Sequence, residues 1–414
     1  MKKWTGATLF ALGLALSVSG IGVQKQNAKA DKIAKNGNEI VVMQQENDEI
    51  YTGNAAIDLH IRAKSSYLCD YATGTLIYAQ NETAHLPIAS MCKIMTLILA
   101  FDAVNAGVLQ FDEEIPVSER AASMGGSQVF LEANAKYSVK ELIKSIVVCS
   151  ANDSCVAIAE KIAGNEAIFI DKMNERAKNL GANDTLFANC TGLPKEPQYS
   201  CAKDVALMLR ELLKNPEYFE FGKVWMDKFQ HPEGRYTEIT NTNKLVRFYD
   251  GCDGGKTGFT NQAGFCLAAT AKRNDMRIIS VVIGEENSKT RFDDTRTMLD
   301  YAFANYVATP IVEADVALEN VVNVDGGKEK TVAVCPARSS YTFAKRGETP
   351  NIKTEIVFNK CRAPLKKGEK VGEILVYKDN VEIDRVPLVA QNDVGKANVF
   401  DRFRDVANSW NKRK

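Results

Sequence analysis

Ser90 and Lys93 stand three residues apart at the head of PIASMCKIMTLILAF, a stretch whose remainder is almost wholly apolar. On a helix, residues i and i+3 share a face, so hydroxyl and amine point the same way, near the positive end of the helix dipole. A serine hydroxyl is a weak nucleophile until a base removes its proton. A lysine sunk in an apolar wall beside another cation gives up its proton and can serve as that base. The spacing alone is common and needs company. Ser150-Ala151-Asn152 breaks the run SVKELIKSIVVCSANDSCVAIAEKIAG. Ser and Asn are both favoured helix caps; as chemistry, the Ser150 hydroxyl relays a proton and the Asn152 amide holds a backbone carbonyl of a peptide substrate. Lys256-Thr257-Gly258 follows in GCDGGKTGFT. A phosphate loop needs four residues between its first glycine and Gly-Lys-Thr, whereas Gly251 leaves three and strand-like residues follow.

Ser-x-x-Lys, Ser-x-Asn and Lys-Thr-Gly, in that chain order, mark penicillin-binding proteins and class A β-lactamases. The likeness continues through IASMCKIMT, SANDSCVAIAE, FANCTGL, NTNKLV, DGGKTGFT and KRNDMRIISVVIG. Over about residues 57–306 the chain resembles the low-molecular-weight penicillin-binding proteins of the serine-type D-alanyl-D-alanine carboxypeptidase family. The region 311–389, with APLKKGEKVGEI, resembles that family's C-terminal domain.

The resemblance implies a transpeptidase-like α/β (α+β) catalytic domain, an antiparallel sheet flanked by helices, plus a small all-β C-terminal domain. It implies Ser90 as nucleophile on the terminal D-alanyl-D-alanine carbonyl of a peptidoglycan stem peptide, Lys93 as base, and Ser150 and Asn152 as the second motif. Lys256 would supply positive potential for the substrate carboxylate and help keep Lys93 neutral. Thr257 would bond that carboxylate. The backbone N–H groups of Ser90 and Phe259, beside Gly258, would form the oxyanion hole. Arg291 matches an arginine near the carboxylate, with an ion pair to Asp293 or Asp294 as its alternative. β-Lactam antibiotics would acylate the enzyme; no cofactor, metal or nucleic acid is implied. Two departures stand out: Cys92 sits where the family often has threonine, and Pro194 where an acidic residue is common. A serine β-lactamase, or a catalytically dead wall-binding module, are the rival readings.

The positioning elements can be outlined. SSYLCDYATGTLIYAQ reads as two strands about a turn at Thr73-Gly74. Helices follow around Ser90, on either side of Ser150–Asn152 up to Gly164, and over AIFIDKMNERAKNLG to Gly181. AGFCLAATAKRNDMRIISVVIG is a strand, a polar turn and a strand, and SKTRFDDTRTMLDYAFANYV is a closing helix. The catalytic domain is expected over 57–308 and an all-β module over 311–390.

The bulk composition is neutral: Lys+Arg and Asp+Glu both number 52 in 414 residues, so no global field favours nucleic acid. Lys2 and Lys3, an apolar run and Ala28-Lys29-Ala30 read as a signal peptide over 1–30, followed by a loose leader over 31–56. Residues 394–414 put Val399, Phe400, Phe403, Val406, Ala407 and Trp410 on one stripe, facing a mainly basic side. That is the pattern of a helix lying on anionic lipid, or of one packed on its own domain. The expected location is extracytoplasmic, peripheral on the outer face of the cytoplasmic membrane. The ten cysteines are expected mostly as free buried thiols, with Cys335 and Cys361 the first pair to test for a bridge. His60, His85 and His231 show no metal-ligand spacing.

Overall fold

The computed structural model describes residues 57–401; the expected signal peptide, leader and most of the terminal helix lie outside them. Strands β1 (Ser65–Asp70) and β2 (Leu76–Gln80) form the first antiparallel hairpin. A helical block follows: α1 (Lys93–Asn105), α2 (Val139–Val148), α3 (Asn152–Ala163), α4 (Glu166–Leu180) and α5 (Ala202–Leu212). Three strands complete the sheet: β3 (Cys252–Thr260), β4 (Gly264–Arg273) and β5 (Met276–Glu285), before α6 (Ser288–Asn305). The strand order is β2-β1-β5-β4-β3, with every pairing antiparallel. The chain therefore ends its sheet with β3, the strand of the Lys-Thr-Gly motif, at one edge.

Caps fix the helix ends. Ser138 accepts from the Glu141 N–H and Asn165 from the Ile168 N–H. Gly164 and Gly181 close α3 and α4 at φ 79° and 84°, a left-handed turn that costs glycine little. The sheet is buried on both faces. In β5, Ile279, Val281 and Ile283 join the core shared with the helical block, while Ile278 and Val282 join a second core under α6. A strand covered twice needs apolar residues at every position. RIISVVIG accordingly shows no alternation.

A strand at Tyr306–Val312 runs straight through the expected domain boundary and pairs with Ser340–Lys345. Tyr306 stacks on Phe343, ring centroids 5.0 Å apart, and both belong to the second core of the catalytic unit. Beyond it, a six-stranded sheet encloses its own core of Val322, Val334, Val371, Ile374, Val386 and Leu388 among others. Val394, expected to begin the tail helix, is instead buried and bridges Leu365. Helical structure opens at Val399, after Asn398 and Asp401 exchange backbone-to-carboxylate and backbone-to-amide bonds. Residues 402–414 of the expected interfacial helix lie outside the described residues. All ten cysteines are free, Cys335 and Cys361 included.

Candidate active site

Ser90 does not sit in α1 itself. It lies in a 3-10 turn, Ala89–Cys92, that runs into the helix at Lys93. In a 3-10 turn, positions i and i+3 eclipse, which brings the two side chains closer than an α-helical start would. Lys93 Nζ is 3.0 Å from Ser90 Oγ and donates to the Thr191 carbonyl at 2.5 Å. Lys93 is 0% exposed. Cys92 is equally buried and turned towards the Asn189 carbonyl, a core residue as its angular offset suggests. Ala89 enters the turn at φ 48°, strained for a residue with a Cβ.

The turn is clamped from two sides. A Cβ on Gly192, at φ 82°, would lie 2.0 Å from the Ala89 carbonyl oxygen, and one on Gly258 would lie 2.6 Å from that of Ile88. Only glycine allows either approach. Asn189 Oδ1 accepts from the Thr191 and Gly192 N–H groups at 3.1 and 2.6 Å, holding the loop whose carbonyl receives Lys93. Thr96 Oγ1 donates to the Cys190 carbonyl and ties the same loop to α1.

Ser150 stands at φ 65° between α2 and α3, another strained non-glycine position. Its Oγ is buried without a hydrogen-bond partner, as is Asn152 Oδ1. The Asn152 Nδ2 donates to the Gly125 carbonyl at 2.7 Å, and its backbone N–H to that of Ser127. The Asn152 amide therefore presents its oxygen, an acceptor, where the sequence suggested a donor for a carbonyl. Orphaned polar atoms in a folded interior are costly.

Lys256 is 2% exposed, with Nζ donating to the Thr257 carbonyl at 3.0 Å. Burial, then the charge of Lys93, hold its amine well below the ordinary lysine value of 10.5. Thr257 Oγ1 donates to Thr242 Oγ1 at 2.7 Å, and the Thr242 N–H donates to Val148, next to the Ser150 break. Arg291 reaches from α6 beneath β3: Nη1 donates to the Cys266 and Gly258 carbonyls at 3.4 and 3.5 Å. It pairs with neither aspartate, since Asp293 meets Lys289 and Asp294 meets Arg62. Burial brings the Arg291 guanidinium down to about 10, and its Nε has no partner. Phe259 is 51% exposed beside this group, its ring 4.3 Å from that of Phe265.

The sequence profile of D-alanyl-D-alanine carboxypeptidase matches residues 52–287, more than half of the chain. The chain belongs to this family. Residues 306–396 match the C-terminal domain of penicillin-binding protein 5. D-alanyl-D-alanine carboxypeptidase DacF of Bacillus subtilis is 38% identical over 364 residues, 87% of this chain and 93% of that one. Penicillin-binding protein 5 from Haemophilus influenzae superposes with a TM-score of 0.63 at 29% identity, over 83% of this chain and 100% of that one. The ampicillin-bound form of penicillin-binding protein D2 from Listeria monocytogenes gives 0.54 at 29% identity, over 60% and 100%. The chain is a serine-type D-Ala-D-Ala carboxypeptidase of this family, and neither rival reading is favoured.

In this carboxypeptidase, three contributors carry no chemical pattern of their own. The Thr191 carbonyl, the Asn189 amide and the Thr242 hydroxyl act by place rather than by type. FANCTGL and NTNKLV contain them, and the likeness of those blocks to the family is the one signal that points there. The histidines stay out: His85 stacks on Tyr199 and meets Asp184, His231 lies between Tyr137 and Thr237, and His60 is exposed.

Proposed function

We propose that Ser90 Oγ attacks the carbonyl joining the two terminal D-alanines of a peptidoglycan stem pentapeptide. Lys93 takes the hydroxyl proton and returns it to the leaving amine, so D-alanine departs and an ester links Ser90 to the shortened peptide. Water then cleaves the ester. The observation that carries this reading is the 3.0 Å approach of Lys93 Nζ to Ser90 Oγ in a fully buried setting. The Thr191 carbonyl takes one N–H and holds the amine beside the hydroxyl. Repulsion between the two buried amines is mutual, so one charge serves both. Lys93, the amine within hydrogen-bond reach of Ser90 Oγ, is the base.

Ser150, its Oγ unbonded, relays the proton towards the leaving nitrogen, and Asn152 Oδ1 accepts a substrate N–H. Lys256, Thr257 and Arg291 favour the terminal carboxylate. The N–H groups of Ser90 and Phe259 stabilise the oxyanion, with Gly258 giving the close approach. Penicillins mimic the same dipeptide and acylate Ser90. The enzyme works outside the cytoplasm, released by cleavage after residue 30 and resting on anionic lipid through its last residues, where Phe400 is already 85% exposed. Mass spectrometry after penicillin treatment tests the nucleophile: wild type gains one adduct on the Ser90 peptide, while Ser90→Ala gains none and releases no D-alanine from a pentapeptide. An adduct at another serine would refute the assignment.

A further inference from the structure

Tyr218 opens the one-turn helix Tyr218–Gly222 and is 1% exposed, the bulkiest side chain buried so completely among the described residues. A phenol that deep needs a partner for its hydroxyl. It makes two bonds to one residue: Oη accepts from the Gly255 N–H at 2.8 Å and donates to the Gly255 carbonyl at 3.3 Å. Burial pushes the phenol well above its ordinary value of 10, so the donor proton stays. β3 has a sheet neighbour on one side only, and Gly255 stands in it at φ 126°, just before Lys256. A glycine is conformationally free and does not hold such a bend by itself; the hydroxyl pins it. A Cβ on Gly254 would lie 2.9 Å from the Tyr218 ring, so only glycine there lets the phenol reach so far. The ring also meets α1: Tyr218 and Phe101 pack edge-on, centroids 6.5 Å apart. Phe101 belongs to the helix that begins at Lys93. One side chain therefore spans from the helix of the Ser90–Lys93 pair to the strand of Lys256.

We infer that Tyr218 is a positioning residue for the reaction: by joining Phe101 to Gly255 it fixes where the Lys256 amine stands relative to the Ser90–Lys93 pair. The inference rests on the proposed role of Lys256 towards the substrate carboxylate. The two amines are near each other, since the charge of Lys93 acts on Lys256, and like charges separate when their supports allow. The bond from Lys256 Nζ to the adjacent Thr257 carbonyl moves with the strand and cannot anchor it. Asn243 Nδ2 holds the Gly254 carbonyl at 3.1 Å, one residue farther from the lysine. Beyond the ladder with β4, that leaves the peptide between Gly255 and Lys256 to the Tyr218 hydroxyl. Without the hydroxyl, Gly255 loses both bonds and the strand can draw the amine away from the carboxylate, while the ring keeps its seat on Phe101.

Benzylpenicillin and its methyl ester differ in the negative charge that Lys256 would meet. Their acylation rates on one preparation give a ratio that does not depend on how much of the chain is folded. A hydrogen bond to a charged group is strong enough for wild type to prefer the free acid about tenfold or more. Tyr218→Phe, which keeps the ring, should bring that preference to about threefold or less, mainly by slowing the free acid. Phe101→Leu, which slackens the seat of the ring and keeps the hydroxyl, should lower it by a smaller factor. Val334→Ala, in the core of the β module, should leave it unchanged. An undiminished preference in Tyr218→Phe, or in Phe101→Leu should the first variant not fold, would overturn the inference, as would an equal drop in Val334→Ala. Failure of the underlying reading looks different: wild type itself would be acylated equally by acid and ester.

Discussion

A lysine at full burial is a liability that occurs twice among the described residues, at Lys93 and Lys256, close enough for the charge of one to act on the other. Each is tolerated because a backbone carbonyl receives it, Thr191 for one and Thr257 for the other. A different buried group is open to a pH test. Glu285 is raised to about 8, first by burial and then by the Asp294 carboxyl beside it, which Arg62 keeps ionised against its own burial. The folded chain therefore holds a proton that the unfolded chain releases near 4.5, so stability falls as pH climbs from there through about 8. Glu285→Gln keeps the shape without the titration. Its melting temperature should exceed that of wild type by several degrees at pH 9 and nearly coincide at pH 5. Parallel melting curves across that range would exclude a buried proton at this site.

At the level of elements, the site is a meeting of three backbone breaks. The 3-10 turn before α1, the Ser150 interruption between α2 and α3, and the edge strand β3 each carry one motif. What joins them is a set of glycine contacts too close for any side chain. Gly192→Ala would put a Cβ at 2.0 Å from the Ala89 carbonyl in a left-handed conformation. The loop must shift, carrying the Thr191 carbonyl away from Lys93. We expect a stability loss of about 3 kcal/mol, by urea denaturation. Penicillin acylation should slow by more than that loss explains when measured well below the melting temperature. A variant of wild-type acylation rate would mean that the loop does not orient the base.

On the scale of the whole molecule, the catalytic unit and the β module share a seam, because Tyr306 and Phe343 stack within the second core of the catalytic unit. The module ends at a helical turn that presents Val399 and Phe400 outward. Among the described residues no helix is long and apolar enough to cross a membrane. If the last residues lie on lipid, the full chain should co-sediment with vesicles containing an anionic phospholipid, and less at high salt. A chain stopped after Ala397 should stay in the supernatant. Equal sedimentation of both forms would place the membrane contact elsewhere.

Much of this was legible in one dimension. Local chemistry decides where helices cap, so Gly164, Gly181 and the Ser150 break fall where their residue types require. The three motifs name their candidate residues because the proposed nucleophile, base and cation must be particular side chains. The sequence leaves undecided what depends on approach in space. It could not tell that Arg291 points beneath β3 instead of to an aspartate, that Asn152 offers oxygen, or that Val394 closes the β module. A carbonyl such as that of Thr191 exists in every residue. Its role as acceptor for a buried amine arises from the packing of a distant loop against a glycine-lined turn, a relation between segments that no single stretch of chain contains.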